Sequence, residues 1–388
     1  MNDMTNFGIS TSGLIAQMRP ISADSHIVEP PNCYIDRIDP KFRDMAPHVV
    51  RDPQKGDIYV IDQMTGSVPM GLIAAAGVDP RKMRIEGARF EELHRGGWNA
   101  KDRIADQDRD GVVGEIIYPS VGMMLCNHPN FDYKNACFRA YNGWLEEEFV
   151  AGAPDRVFGI GQTAARSPKE LIEDMHRIKE AGFVGVMLPG FPQEEDYDSL
   201  IYDPVWRAAI ALELPISFHV LTSRSDTTSG LMSGQSRGPK VNSFQSIIRA
   251  CQDIIGMFIY SGVFERHPEL KVITVEADAG WAPHYMYRMD HAFNRHRHWL
   301  DGGTTLTRMP SEYFRENIYM TFQDDWVAFQ MTSFFNPRRL MWANDFPHSD
   351  STWPNSQQLL ADNAKHMSLE NLKWILHDNV AELYKLNV

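Results

Sequence analysis

The chain is poor in three things. It has only four cysteines in 388 residues, Cys33, Cys126, Cys137 and Cys251, and none is in CxxC spacing. A disulfide framework and a zinc-finger-type site are therefore not expected, and free thiols in a reducing compartment are the plain reading. Basic side chains are also scarce, 38 Lys and Arg against 51 Asp and Glu, for a formal charge of -13. Nucleic acids and anionic membranes are bound through cationic excess, so neither is an expected partner and a small-molecule substrate is favoured. Finally, no apolar run approaches the roughly 18 to 20 residues that cross a bilayer.

Residues 1–19 are polar, with Gly and Thr and no charged-then-apolar leader layout. We expect a cytoplasmic protein with a loose tail over residues 1–20. No repeat or low-complexity tract is visible, and Pro and Gly are spread along the chain. One domain over residues 21–388, with an insertion at about 30–100, fits better than two linked domains.

Short apolar, β-rich runs recur at residues 21–27, 114–120, 158–163, 185–189, 215–220, 271–277, 317–322 and 340–346. Amphipathic stretches lie between them at 133–150, 168–181, 204–212, 241–266 and 281–299, most opened by Pro, Ser or Asp, as helix N-termini prefer. Eight alternating units predict an α/β fold, a (β/α)8 TIM barrel, with a doubly wound open sheet as its rival. Active sites of such barrels lie at the C-terminal strand ends. Those ends are polar here, with His219 on the fifth run, Glu276 and Asp278 on the sixth, Gln323 to Asp325 on the seventh and Asp345 on the eighth.

Two segments stand outside the repeating unit. Within 30–100 a Gly-rich apolar stretch, residues 70–77, reads as a pocket cap or an oligomer contact, with a homo-oligomer or a hetero-oligomer with a related barrel expected. After the fifth run, residues 221–240 form a long Ser/Thr/Gly-rich loop of the kind that serves as a lid. Arg224 and Arg237 in that loop are candidates to receive a substrate carboxylate, although an exposed loop arginine is ordinarily just solvated.

Asp24 and His26 are two apart, so on a strand both side chains point to one face and can converge on one ion. A divalent ion needs several lone-pair donors on rigid elements, and Asp24, His26, His219 and Asp345 offer them from different strand ends. Taken singly, Asp24 reads as a turn former, His219 as a core histidine and Asp345 as a helix cap; taken together they form a pattern.

That pattern, with the DSHIVEP opening, the FHV strand, the stretch FERHPELKVITVEADAGWAPHYMYRMD, the ANDFPHSDSTWP segment and the closing ILHDNVAELYKL, resembles the amidohydrolase superfamily. It is most similar to the amidohydrolase-related (family 2) branch that includes aminocarboxymuconate semialdehyde decarboxylase, over about residues 21–384. The resemblance implies a distorted metal-bearing TIM barrel that catalyses hydrolysis or non-oxidative decarboxylation. It places the family's HxH metal pair on Asp24 and His26, the fifth-strand histidine on His219 and the eighth-strand aspartate on Asp345. The histidine that serves as acid/base after the sixth strand falls on Glu276, and Asp24 stands where many members have histidine.

Asp24, Glu276 and Asp345 then bring three negative charges together. One divalent ion leaves about -1 and two leave about +1, so one or two ions fit, with oxygen-rich ligation suiting Mn or Fe beside Zn. Glu29 and His348 are candidates for orienting a ligand or reaching a second ion, and His296 is a weaker one. The expected activity is hydrolysis by a metal-activated water, with Asp345 taking its proton and Glu276 as shuttle or ligand. The alternatives are metal-dependent decarboxylation, oxygen-using chemistry at an Fe or Mn pair, or a non-catalytic subunit of a hetero-oligomer.

Overall fold

The computed structural model describes residues 11–64, 66–84, 86–223, 238–300 and 306–388. Eleven strands occur among them: β1 (Ile21–His26), β2 (His48–Asp52), β3 (Gly56–Val60), β4 (Val68–Pro69), β5 (Gly114–Tyr118), β6 (Val157–Gln162), β7 (Gly185–Met187), β8 (Ile216–His219), β9 (Val272–Val275), β10 (Ile318–Phe322) and β11 (Leu340–Trp342). Eight of them, in the order β1-β5-β6-β7-β8-β9-β10-β11, make one parallel sheet. Each of the eight runs anticipated above supplies one of these strands.

The sheet rolls into a nearly closed barrel. Between β11 and β1 the closure is made past the strand end, where Asp345 N donates to Asp24 O at 3.1 Å and His26 N to Phe346 O at 2.7 Å. Side chains complete the seam: Ser22 Oγ accepts from Asn344 N at 2.9 Å, and Ser25 Oγ donates to Asn344 Oδ1 at 2.9 Å. All six β1 residues are buried, as a strand with the barrel interior on one side and helices on the other requires.

The helix Pro168–Glu180 shows how the outer layer forms. Ser167 caps it by accepting from Glu170 N at 3.3 Å, Pro168 suits its first position, and Leu171, Met175 and Ile178 bury one face at helical spacing. Burial of each such side chain contributes about 1.5–3 kcal/mol. Ser167→Ala would cost about 1 kcal/mol by freeing a capped N–H.

The structure departs from the sequence reading in three places. The stretch 241–266 is not one helix but a 3-10 turn (Lys240–Ser246), a helix (Arg249–Tyr260) and a short helix (Val263–Arg266), broken at Gly262 where φ is +78°. Residues 11–17 are helical rather than loose, because Ile15 is buried in the main core. The insertion carries its own antiparallel sheet, β2-β3-β4, turned at Gly56, whose φ is +77° and where any Cβ would sit 2.4 Å from Ala88 O. Its apolar stretch is a cap rather than a free face: Met70 and Ile73 join the main core, and Ala76 packs with Phe346 and Trp353. Among the described residues, no helix is long and apolar enough to cross a membrane.

Candidate metal centre

Asp24 and His26 extend from β1 to one side, as their spacing predicts, with Asp24 Oδ1 3.3 Å from His26 Nε2. His219, the last residue of β8, brings its Nε2 to 3.6 Å from Asp24 Oδ1 and 3.4 Å from Glu276 Oε2. Glu276 follows β9, and Asp345 lies beyond β11 with Oδ1 3.4 Å from His26 Nε2. The sequence-predicted set of five therefore meets at the C-terminal mouth of the barrel. Asp24, His26, His219 and Asp345 have fully enclosed side chains, and that of Glu276 is 14% exposed.

Two of the five stand in strained backbone. Glu276 has φ +59° and Asp345 φ +53°, a left-handed conformation that costs a non-glycine residue about 1–3 kcal/mol and persists only where its surroundings fix it. Here Glu276 N is held by Thr321 Oγ1 at 2.9 Å, and Asp345 N by Asp24 O at 3.1 Å.

The imidazoles are aimed. His26 Nδ1 lies 2.8 Å from Pro119 O, and His219 Nδ1 lies 3.1 Å from Val220 O. A carbonyl can only accept, so each Nδ1 carries a hydrogen and each Nε2 faces the carboxylates. Arg103, fully buried, donates to the His26 carbonyl, to Gly96 O at 2.6 Å and to Glu115 Oε2 at 2.7 Å, which locks the end of β1 from behind.

Both oxygens of Asp24 and of Asp345, Nε2 of His26 and of His219, and Oε2 of Glu276 are buried without a hydrogen-bond partner. Leaving one such atom unsatisfied costs about 1–3 kcal/mol, more when it is charged, so a converging group of them calls for a cation. Ligand atoms on adjacent vertices around one small divalent ion stand about 3.0–3.4 Å apart, close to the separations found here. The residues fit a divalent ion, and their donor atoms fall into two overlapping groups: Asp24, His26, His219 and Glu276, and His26, Glu276, Asp345 and His348.

Without an ion the cluster holds protons. Burial opposes charge on His26, but the Asp24 and Glu276 carboxylates facing its Nε2 hold its pKa well above the ordinary value. Burial, then the Glu276 charge, pushes the Asp345 carboxyl well above the usual carboxylate range. Asp24 goes the other way: burial raises it, but the neighbouring imidazoles of His219 and His26 outweigh that and keep it below the usual range. Burial and the neighbouring His26 push His348 below the ordinary imidazole value.

The remaining candidates separate. His348 reaches the centre, its Nδ1 3.0 Å from Asp345 Oδ1. Glu29 turns away: its Oε1 accepts from Ser120 N and Gly122 N, each at 3.1 Å, and so pins the turn after β5. His296 ends the helix Ala282–His296, packs edge-on to Trp299 and belongs to neither donor group. Arg224 and Arg237 lie outside the described residues. Sequence reasoning missed Ser120 and Arg103. Ser120 touches His348 across 228 positions of the chain, and Arg103 touches the His26 carbonyl across 77, so no local pattern marks either.

An eight-stranded parallel barrel with aimed histidines and carboxylates at its C-terminal mouth defines the class of metal-binding TIM-barrel enzymes. The chain belongs to the amidohydrolase family, which it matches over residues 127–386. It is 26% identical over 275 residues to a gamma-resorcylate decarboxylase from Polaromonas sp. (strain JS666), covering 65% of this chain and 77% of that protein. In fold it is similar to an amidohydrolase from Mycobacterium avium subsp. paratuberculosis K-10, with TM-score 0.75 and 20% identity over 94% of this chain and 99% of the other. A 5-carboxyvanillate decarboxylase from Novosphingobium aromaticivorans DSM 12444, solved with bound manganese, aligns with TM-score 0.67 and 19% identity over 95% and 97% of the two chains.

Proposed function

We propose that this chain is a divalent-metal-dependent, non-oxidative decarboxylase of a small carboxylic acid, with hydroxylated aromatic acids as the first substrate class to test. The observation that carries the reading is the sealed set of unpartnered His, Asp and Glu atoms at the barrel mouth. The choice of decarboxylation over the hydrolysis expected from sequence is supported by the Polaromonas relative, which is named a decarboxylase.

Asp24, His26, His219 and Asp345 would hold the ion. When bound, it supplies a Lewis-acid charge that gathers the substrate's carboxylate and neighbouring oxygen and draws electron density from the ring. The overall change replaces a carboxylate by hydrogen: the carbon–carboxyl bond breaks, its electron pair stays on the ring carbon, that carbon takes a proton and carbon dioxide leaves. Glu276 is the one member of the set of five with side-chain exposure, so its carboxyl is the group placed to carry that proton between solvent and the ring carbon. Arg103 and the carbonyls of Pro119 and Val220 orient the histidines and hold no proton in the reaction. The enclosure of Asp24, His26 and Asp345 keeps bulk water off the inner side of the centre.

The test is incubation of manganese-loaded protein with a panel of hydroxybenzoic acids in labelled water. Carbon dioxide release with one solvent hydrogen appearing on the ring is expected. Turnover of esters, amides or lactones without carbon dioxide from any acid would overturn the reading in favour of hydrolysis.

A further inference from the structure

His348 is held at both ring nitrogens. Its Nε2 lies 2.8 Å from Ser120 Oγ, and Ser120 Oγ also lies 2.6 Å from the Ile27 carbonyl. The carbonyl can only accept, so the serine hydrogen points to Ile27 and the serine oxygen accepts from His348 Nε2–H. The other ring nitrogen, Nδ1, is left with its lone pair toward Asp345 Oδ1 at 3.0 Å. Two lone pairs at that separation repel unless a proton or a cation lies between or beside them, and both oxygens of Asp345 are buried and unpartnered, so an ion bound here takes the place of the proton that the empty site holds.

One ion does not serve both His26 and His348. Their rings are stacked, with centroids 3.8 Å apart and planes 23° from parallel. An imidazole binds an ion in its own ring plane, so an ion in the plane of His26 stands well out of the plane of His348. Stacked ligands of this kind aim at two adjacent points, and paired ions in two-metal sites stand about 3.5–4 Å apart.

We propose that His348 is a ligand to a second divalent ion beside the first, with Asp345 between the two ions and Ser120 as the residue that fixes the His348 tautomer. Asp345 Oδ1 is within 3.4 Å of His26 Nε2 and 3.0 Å of His348 Nδ1, the placement of a bridging carboxylate. Glu276 stands in the same group of donors, its Oε2 3.7 Å from His26 Nε2. Charge permits the pair: against the three carboxylates one ion leaves about -1 and two leave about +1, equal imbalances. The proposal rests on the reading of Asp24, His26, His219 and Asp345 as a first ion site, and not on which reaction the site performs.

The test is titration of chelator-stripped full-length protein with manganese alone, read by ion content after desalting and by electron paramagnetic resonance. About two ions per chain with a spin-coupled spectrum are expected. His348→Ala should bind about one, with the signal of an isolated ion, and Ser120→Ala should weaken the second ion about 10–100-fold while leaving the first. About one ion in the unmodified protein would overturn the second position and leave the first centre standing; no ion would overturn both. Two ions in His348→Ala, or unchanged affinities in Ser120→Ala, would overturn the assigned ligand. Circular dichroism of both variants separates these results from misfolding.

Discussion

Asp345 is tied to Asp24 through the backbone, its N–H donating to the Asp24 carbonyl at 3.1 Å, so the bond that closes the barrel between its first and last strands also sets two of the centre's carboxylates side by side. Barrel closure and site assembly are one event at this seam. The left-handed φ of Asp345, +53°, is how the chain turns to make that bond while the side chain still faces inward.

Asp345→Asn keeps the backbone bond and the shape but removes the charge. The variant should lose turnover and bind manganese at least about 10-fold more weakly. Its ion-free melting temperature should equal or exceed that of the unmodified chain, since a carboxyl that burial and Glu276 push upward is a destabilising group when ionised. Calorimetric titration and thermal melts check the two halves separately.

Ion-free protein should lose stability as pH rises above the ordinary histidine value of 6.5. His26 has a folded pKa raised above that value, so its contribution is complete below pH 6.5 and is lost as pH climbs through the folded pKa. Asp345, also raised, loses stabilisation in the same direction. Bound ion replaces those protons, so the loaded protein should lack this decline. Melting curves across pH 6 to 9, with chelator or with manganese, give the comparison, and parallel curves would contradict it.

Arg103→Met should destabilise the fold by about 3–5 kcal/mol, because it leaves the buried Glu115 carboxylate without its cation. It should also loosen ion binding, since the guanidinium holds the His26 carbonyl. Denaturant unfolding measures the first effect. A loss below 1 kcal/mol would show that Glu115 finds another partner, such as Gln107, which already donates to it at 2.9 Å.

Glu276→Gln should retain the first ion, held by Asp24, His26, His219 and Asp345, while decarboxylation falls by about 10²–10⁴-fold, the range expected for a positioned proton carrier. Single-turnover rates in light and heavy water read the proton step. An unchanged rate would move the role to another group.

The barrel was legible because each strand is a short apolar run and each helix carries an amphipathic stripe. The clustering of five side chains was legible because Asp24 and His26 alternate on one strand while His219, Glu276 and Asp345 each end or follow another. What was not legible depends on contacts between distant segments. The chain from Ile27 through Ser120 to His348 joins three strand-end loops, and only the closed barrel shows that its last nitrogen faces Asp345. The β2-β3-β4 sheet was missed because its turn, Pro53 to Gly56, sits among other turn residues and its strands are short. Gly262 broke the expected long helix at 241–266 through a backbone angle that the apolar pattern does not record.

Asp24, His26, His219, Glu276 and Asp345 are placed to surround a divalent cation at the barrel mouth. An anomalous-difference map from crystals grown with manganese tests it directly. A strong peak is expected within about 2.0–2.4 Å of His26 Nε2, His219 Nε2 and at least one carboxylate of the set. A well-ordered site with no peak there, or a peak bound only by surface carboxylates, would contradict it.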